Sequence, residues 1–187
     1  MLSQWQHILR PIDCGPMRLK NRLTSAPINT GLENLSNLAA LADFYAEAAA
    51  DGVSLVTLFS PALSGQAKQN ADILPTGSDD FRRYKPILKA VSSFDCRVAI
   101  ELNHIGQDAG VLFPISSVPG VSKHTGKSFH AAPAFLIRKA IHQFAQCAQR
   151  AASVGFDAVE INASGRSLIA SFLSPAINTR QDAWGTN

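Results

Sequence analysis

The run VSLVTLF at residues 53–59 carries no alternation of polar and apolar positions. A strand with one wet face shows that alternation, whereas a strand covered on both faces reads as a near-continuous apolar run. RVAIEL at 97–102 and AVEI at 158–161 read as the third and fourth strands. Between such runs the period changes to that of a helix. Leu38, Leu41, Phe44, Tyr45 and Ala48 recur at i, i+3 and i+4, and Gly52 is the stop. Asp79 to Ser93 is a second helix, with Ser78 as N-cap and Pro86 placed early in it or kinking it. Ala134 to Val154 is the longest helix and ends at Gly155. Strands that alternate with helices pair in parallel, which sets the fold class as α/β.

The remaining segments fit around that frame. HILRPIDCGPMRLKN, residues 7–21, reads as a short β-hairpin with Gly15-Pro16 at its turn. Arg22 to Ala26 leads as a strand into Pro27. Residues 103–132, rich in Gly, Pro and Ser, read as a long loop. After the fourth strand, ASGRS is a polar turn and LIASFL a short apolar helix. Right-handed crossovers put the C-terminal end of every strand on one side. Asn29, Thr30, Ser60, His104, Gly106 and Asn162 fall at those ends, the side where function collects in barrels and doubly wound sheets.

Composition narrows the function. The 187 residues are expected to form a single domain over 1–187, with 46% hydrophobic and 17% charged residues. The net charge of +3 is read as small and spread along the chain, and Arg82, Arg83 and Lys85 as a solvated helix face rather than a nucleic-acid site. No segment approaches the roughly 18 apolar residues of a membrane span. MLSQWQHILRPID has no apolar signal-peptide run, so a cytoplasmic protein is expected. Cys14, Cys96 and Cys147 are odd in number and scattered, which argues against a disulfide framework and against a metal site. No GxGxxG or GxxxxGK[ST] is present.

Four blocks occur in order: MRLKNRLTSAPINTGLEN (17–34), FYAEAAADGVSLV (44–56), VAIELNHIGQ (98–107) and GFDAVEINASGRSLIASFLSPAINTRQDAWG (155–185). On these blocks the chain resembles the flavin-dependent Old Yellow Enzyme family, in particular its 2,4-dienoyl-CoA reductase-like branch. The resemblance implies a (β/α)₈ TIM barrel holding FMN at its C-terminal face. It also implies hydride transfer from NAD(P)H to the flavin and then to an activated C=C bond. The chain matches the N-terminal half of such a barrel: four parallel strands and three helices, preceded by the hairpin. A full barrel takes about 250 residues. The family's phosphate-binding loops and the reductase branch's cluster cysteines would fall beyond residue 187, and no metal is expected here. A homodimer or a partner chain completing the barrel is expected, with a small-molecule substrate.

Position by position, the resemblance implies these roles. Ala26, Pro27, Ile28 and Asn29 match the stretch whose backbone holds the flavin edge, and the Asn29 amide can donate there. Leu58 matches a position usually held by Ala or Gly, so its side chain must turn away or take cofactor space. Glu101 matches a Gln that both donates to and accepts from the flavin; an ionised carboxylate only accepts. His104 matches the His of an HxGR motif, with Gln107 in place of the Arg, and is read as a residue of the site edge. Asn162, Gly165 and Ser167 match the His/Asn pair and proton-donating Tyr that grip substrate. Asn162 and Ser167 are therefore the degenerate catalytic positions. Arg166 adds a cation on the substrate side. The expected function is an FMN-dependent oxidoreductase, incomplete or impaired as this chain alone. The alternative is a non-catalytic half-barrel binding module or a truncated fragment.

Overall fold

A computed structural model of the chain describes residues 5–32, 38–59, 81–108, 114–165 and 167–186. The chain separates into two compact units. The first comprises Met1–Pro61, Gly77–Glu101 and Ala148–Glu160; the second comprises Ala62–Thr76, Leu102–Cys147 and Ile161–Asn187.

The first unit begins with a helical turn, α1 (Gln6–Leu9), ended by Pro11, and an antiparallel hairpin, β1 (Ile12–Cys14) and β2 (Met17–Leu19). The hairpin is thus shorter than residues 7–21. Its N-terminal flank is helical because proline, which fixes φ, starts the extended path only at residue 11. β3 (Thr24–Ser25), α2 (Leu38–Ala50), β4 (Leu55–Leu58), α3 (Lys85–Val91) and β5 (Arg97–Leu102) follow. Pro86 sits in the first turn of α3, where its missing N–H costs nothing. The regular helix therefore starts later than Asp79. Ser78, the expected N-cap, lies outside the described residues.

β4 lies between β3 and β5, parallel to both, with Ser25 beside Val56 and Leu58 beside Ile100. Ser54 ties the strand starts together. Its N–H donates to Leu23 O, its hydroxyl is within 2.9 Å of Asn21 O and Leu23 O, and its carbonyl accepts from Arg97 N–H. Asp157 does the same for the last strand, β9 (Ala158–Ile161), accepting from Val98 N–H at 2.9 Å and from Arg97 Nη1 at 3.2 Å. The sheet order is β3-β4-β5-β9, the same as the chain order. α2 packs on α3, burying Leu41, Tyr45 and Ala49 at four-residue spacing. Phe81 and Tyr84 meet Phe156 edge to face, with centroids 6.5 and 5.9 Å apart. Each such buried ring contributes about 1.5–3 kcal/mol of transfer free energy.

The second unit holds what the sequence leaves as a loop. β6 (Ile115–Ser116), β7 (Gly120–Val121) and β8 (Ser128–Ala131) form a small sheet with β8 in the middle, parallel to β6 and antiparallel to β7. Pairings of two residues leave no period to read, which is why residues 103–132 look structureless in sequence. Gly120 is required there: a Cβ would stand 2.6 Å from the Phe129 ring. α4 (Ala134–Val154) and α5 (Leu168–Leu173) complete the elements. Ile115, Ala132, Ile137, Ala140 and Leu168 form the unit's core, flanked by Leu136, Phe172 and Trp184.

Candidate functional site

In the first unit, the exit of β3 is open. Ala26, Ile28 and Asn29 are exposed and Pro27 is half-buried. Proline at 27 and the turn that follows take the chain out of the sheet. Asn29 Oδ1 accepts from Gly31 N–H at 3.1 Å, which leaves the amide NH₂ as its donor end. Leu58 and Glu101 are both buried, at 1% and 3% exposure. They do not share a face. Leu58 is in register with Ile100, and side chains alternate along a strand, so Glu101 lies on the face of Ala99 and Thr57. Leu58 therefore turns away from the space that Glu101 faces.

In the second unit, His104 follows β5 and is 5% exposed. Burial lowers its pKa from 6.5 to about 4, so the ring is neutral near pH 7. Nδ1 accepts from Gly106 N–H at 3.1 Å, which assigns the ring proton to Nε2. The His104 carbonyl accepts from Leu168 N–H at 2.7 Å. Gly106 permits this: it has φ +56°, and a Cβ would stand 3.0 Å from Leu168 N. His104 thus holds the turn after β5 against the start of α5.

The turn after β9 uses its polar atoms internally. Asn162 N–H donates to Leu102 O at 2.9 Å. Asn162 Oδ1 accepts from both the N–H and the hydroxyl of Ser164, each at 2.9 Å. Gly165 has φ +59° and open space where a side chain would stand. Ser167 is 4% exposed and is the N-cap of α5, accepting from Ala170 N–H at 3.1 Å. Arg166 lies outside the described residues.

The tail FLSPAINTRQDAWG is bound to the same unit. Asn178 Nδ2 donates to Phe172 O and Trp184 O, both at 2.8 Å. Arg180 Nη1 donates to Ser117 O at 2.9 Å and Ala132 O at 3.0 Å, while its Nε and Nη2 hold Asp182. The hydrogen bonds of that pair raise the Arg180 pKa and lower that of Asp182. α4, α5 and Trp184 also line an apolar groove of about 430 Å³, at whose edge Ile161 is 53% exposed.

Two features escaped the reading of the sequence. Asn103 Oδ1, one residue before His104, is buried with no partner among the described residues. The charge is also not evenly spread: no Asp or Glu occurs between Asp108 and Asp157, a stretch holding Lys123, Lys127, Arg138, Lys139 and Arg150. That acid-free run is visible in sequence, but a net charge summed over the whole chain hides it. Arg83, from the cluster taken as a solvated face, stacks its guanidinium 4.9 Å from the Tyr84 ring centre and donates to its hydroxyl. Among the described residues no group of three or more His, Cys, Asp and Glu is placed to hold a metal ion. No helix among them is long and apolar enough to cross a membrane.

The model of the NADH:flavin oxidoreductase / NADH oxidase family matches residues 7–187. The chain belongs to this family. A bilirubin reductase of Mediterraneibacter gnavus is 27% identical over 95% of the chain, and an NADPH dehydrogenase of Listeria welshimeri is 32% identical over 89%. The chain spans only 28% and 51% of those two relatives. Among solved structures, the Old Yellow Enzyme from Pichia sp. AKU4542 superposes with a TM-score of 0.80 at 19% identity, over 97% of this chain and 52% of that one. A 2-naphthoyl-CoA reductase in complex with 2-naphthoyl-CoA superposes at 0.81 and 19%, over 98% and 31%. At those identities the structures establish the fold alone: the four parallel strands and their helices are part of a (β/α)₈ barrel.

Proposed function

We propose that the chain is the N-terminal barrel portion of an FMN-dependent, NAD(P)H-consuming oxidoreductase of the ene-reductase type. The observation that carries this reading is the exit of β3, an open stretch from Ala26 to Asn29 in a unit whose β5 presents Glu101. These residues fit the ring of a flavin: the apolar side chains of Ala26, Pro27 and Ile28 against a flat surface, the Asn29 amide as a donor, and the Glu101 carboxylate as an acceptor for a ring N–H. Leu58 does not obstruct the fit, because its side chain packs on the opposite face. When bound, the flavin would supply hydride chemistry. The protein residues would orient the ring and pair its polar edge. His104, neutral and hydrogen-bonded through Nδ1, would hold the turn after β5 rather than move a proton.

Further parts of the proposal rest on the sequence resemblance: a substrate of the dienoyl-CoA class, Arg166 on the substrate side, and a cytoplasmic location. The chain would work with a second copy or a partner chain that completes the barrel. The exposed Ile161 and the apolar groove beside it support that completion.

A second reading, a non-catalytic half-barrel module, is favoured by Ser167 and Asn162. Their oxygens serve a helix cap and a turn. A visible absorbance spectrum of the purified chain, after adding excess FMN and removing the unbound fraction, separates the two. A retained flavin band is the expected result. A colourless protein overturns flavin binding by this chain and leaves the module.

A further inference from the structure

We propose that a second copy of this chain docks on the exposed face of α4 with the exposed face of its own α2. Asp43, Glu47 and Asp51 of the one copy then meet Arg138, Lys139 and His142 of the other. The contact joins two helices and depends neither on flavin binding nor on completion of the barrel.

The two helices are of opposite sign. α2 contains Asp43 and Glu47, is followed by Asp51, and has no Lys, Arg or His. The three acids recur every four residues, so they share one face, away from buried Leu41, Tyr45 and Ala49. All three are exposed. α4 contains Arg138, Lys139, His142 and Arg150 and no acid. Arg138 and His142 are again four apart, with Lys139 beside them, and all three are exposed. Residues four apart are neighbours along a helix face, so the two rows match in spacing.

The acids of α2 have no cation within their own copy. Among the described residues Asp43, Glu47 and Asp51 enter no ion pair, and neither does Arg138. α3 packs on α2 and carries exposed Lys85 and Lys89, yet neither lysine bonds to these acids. The helix dipoles add to the imbalance. Glu47 lies in the last turn of α2 and Asp51 just beyond it, at the end where a cation is favoured and an anion is not. α4 has no acid in its first turn, so its positive end is met by no charge of its own, and Arg138 and Lys139 follow in the next turn. Setting the C-terminal half of one α2 against the N-terminal half of the other α4 offsets both.

Shape fits a helix as the occupant. Phe135, three residues before Arg138 and four before Lys139, is on their face and is 69% exposed. On α2 the acids are flanked by exposed Ala39, Ala40 and Ala50, small side chains that let a large ring lie close to the helix. An aromatic anchor with charges around it is the make-up of a protein interface. In a two-fold pair the contact is made twice, α2 on α4 and α4 on α2. That doubling brings it towards the roughly 800 Å² per partner of a stable dimer.

The test is sedimentation velocity of the full chain at low and at high salt. Self-association is expected, and roughly tenfold weaker at high salt. Two charge-reversed variants decide its source: Arg138→Glu with Lys139→Glu, and Asp43→Lys with Glu47→Lys. In each variant both faces have the same sign, so each alone is expected to associate about tenfold more weakly than the unaltered chain. Mixed together, the two variants present opposite signs at both contacts, and the mixture is expected to recover the unaltered affinity. Neither variant is expected to unfold more readily, because each gives its helix the sign that the dipole favours. Urea unfolding checks this. A monomeric unaltered chain overturns the proposal. So does a mixture that recovers nothing, or an association that charge reversal leaves untouched, which would place the second copy on an apolar surface such as the groove beside Ile161. A chain that retains flavin as a monomer loses this inference and keeps the functional reading.

Discussion

The two units hold the segments that follow the strands of the four-stranded sheet differently. In the first, β3 runs out into Ala26, Pro27, Ile28 and Asn29, exposed or half-buried residues with one local side-chain bond among the described residues, Gly31 N–H donating to Asn29 Oδ1. In the second, the turns after β5 and β9 are tied down. His104 bonds to Gly106 and Leu168, Asn162 to Ser164, and Ser167 to Ala170. Open backbone suits the close approach of a flat ring. A turn whose side-chain oxygens already accept two bonds has little left to offer a substrate. The stretch proposed for the cofactor is therefore the more open of the two, and the turn proposed for the substrate side is occupied by its own hydrogen bonds. Substitutions that act on one unit at a time test that division.

The largest effect is expected in the first unit. Phe156→Ala removes the ring that meets both Phe81 and Tyr84, and should cost about 3–5 kcal/mol. Urea unfolding measures the loss. Hydrogen exchange should show it in the amides of α3 and β4 before those of β8. Equal loss of protection throughout would show that the units unfold as one.

Arg180→Met is the counterpart in the second unit. It withdraws the donor shared by Ser117 O and Ala132 O and leaves Asp182 without its cation. Hydrogen bonds from a charged donor support a cost of about 3 kcal/mol. Exchange should rise at β6, β8 and α5, while flavin retention, a property assigned to the first unit, should persist.

His104 gives the second unit a pH dependence of definite sign. Its folded pKa of about 4 lies below the ordinary 6.5, so the unfolded chain binds the proton more readily. The contribution is complete above pH 6.5 and falls as the pH drops towards 4. By pH 5 about 2 kcal/mol of it is lost. His104→Asn keeps an acceptor for Gly106 N–H without the titration. The difference in urea midpoint between wild type and this variant should therefore narrow from pH 7 to pH 5. A constant difference would contradict the burial of His104.

What the sequence made legible follows the same division. α2 and α4 were readable from a sustained helical period with a Gly just past the end, and β4, β5 and β9 from short apolar-rich runs alternating with those helices. The small sheet of β6, β7 and β8 was not, since two-residue pairings leave no period and depend on packing such as Phe129 under Gly120 and on ties far along the chain such as Ser117 to Ser171. Among proposed site positions, the resemblance names Glu101 and Leu58 together, but register was needed to place them on opposite faces. Ser167 was read for its hydroxyl and not as a cap, because Ser-Leu-Ile-Ala has no acidic residue at the third helical position to mark a capping box.

Ser167 therefore offers the smallest and most selective test. As an N-cap, its replacement by Ala leaves Ala170 N–H without its partner and should cost about 1 kcal/mol. Ser167→Asp keeps an oxygen acceptor and places a negative charge at a helix start, so it should restore that stability. A proton-donating role predicts no such rescue of turnover. An ionised Asp cannot replace a hydroxyl donor, so in a flavin-loaded, completed barrel Ser167→Asp would lower alkene reduction as far as Ser167→Ala does, whatever its stability. If stability is restored and turnover is the same in all three proteins, Ser167 belongs to the scaffold. The turn after β9 is then structural in the chemical sense as well as the geometric one. If turnover falls in both variants while only Ser167→Ala loses stability, the hydroxyl leaves its cap to reach substrate, and the contrast between the two units narrows to Asn162 alone.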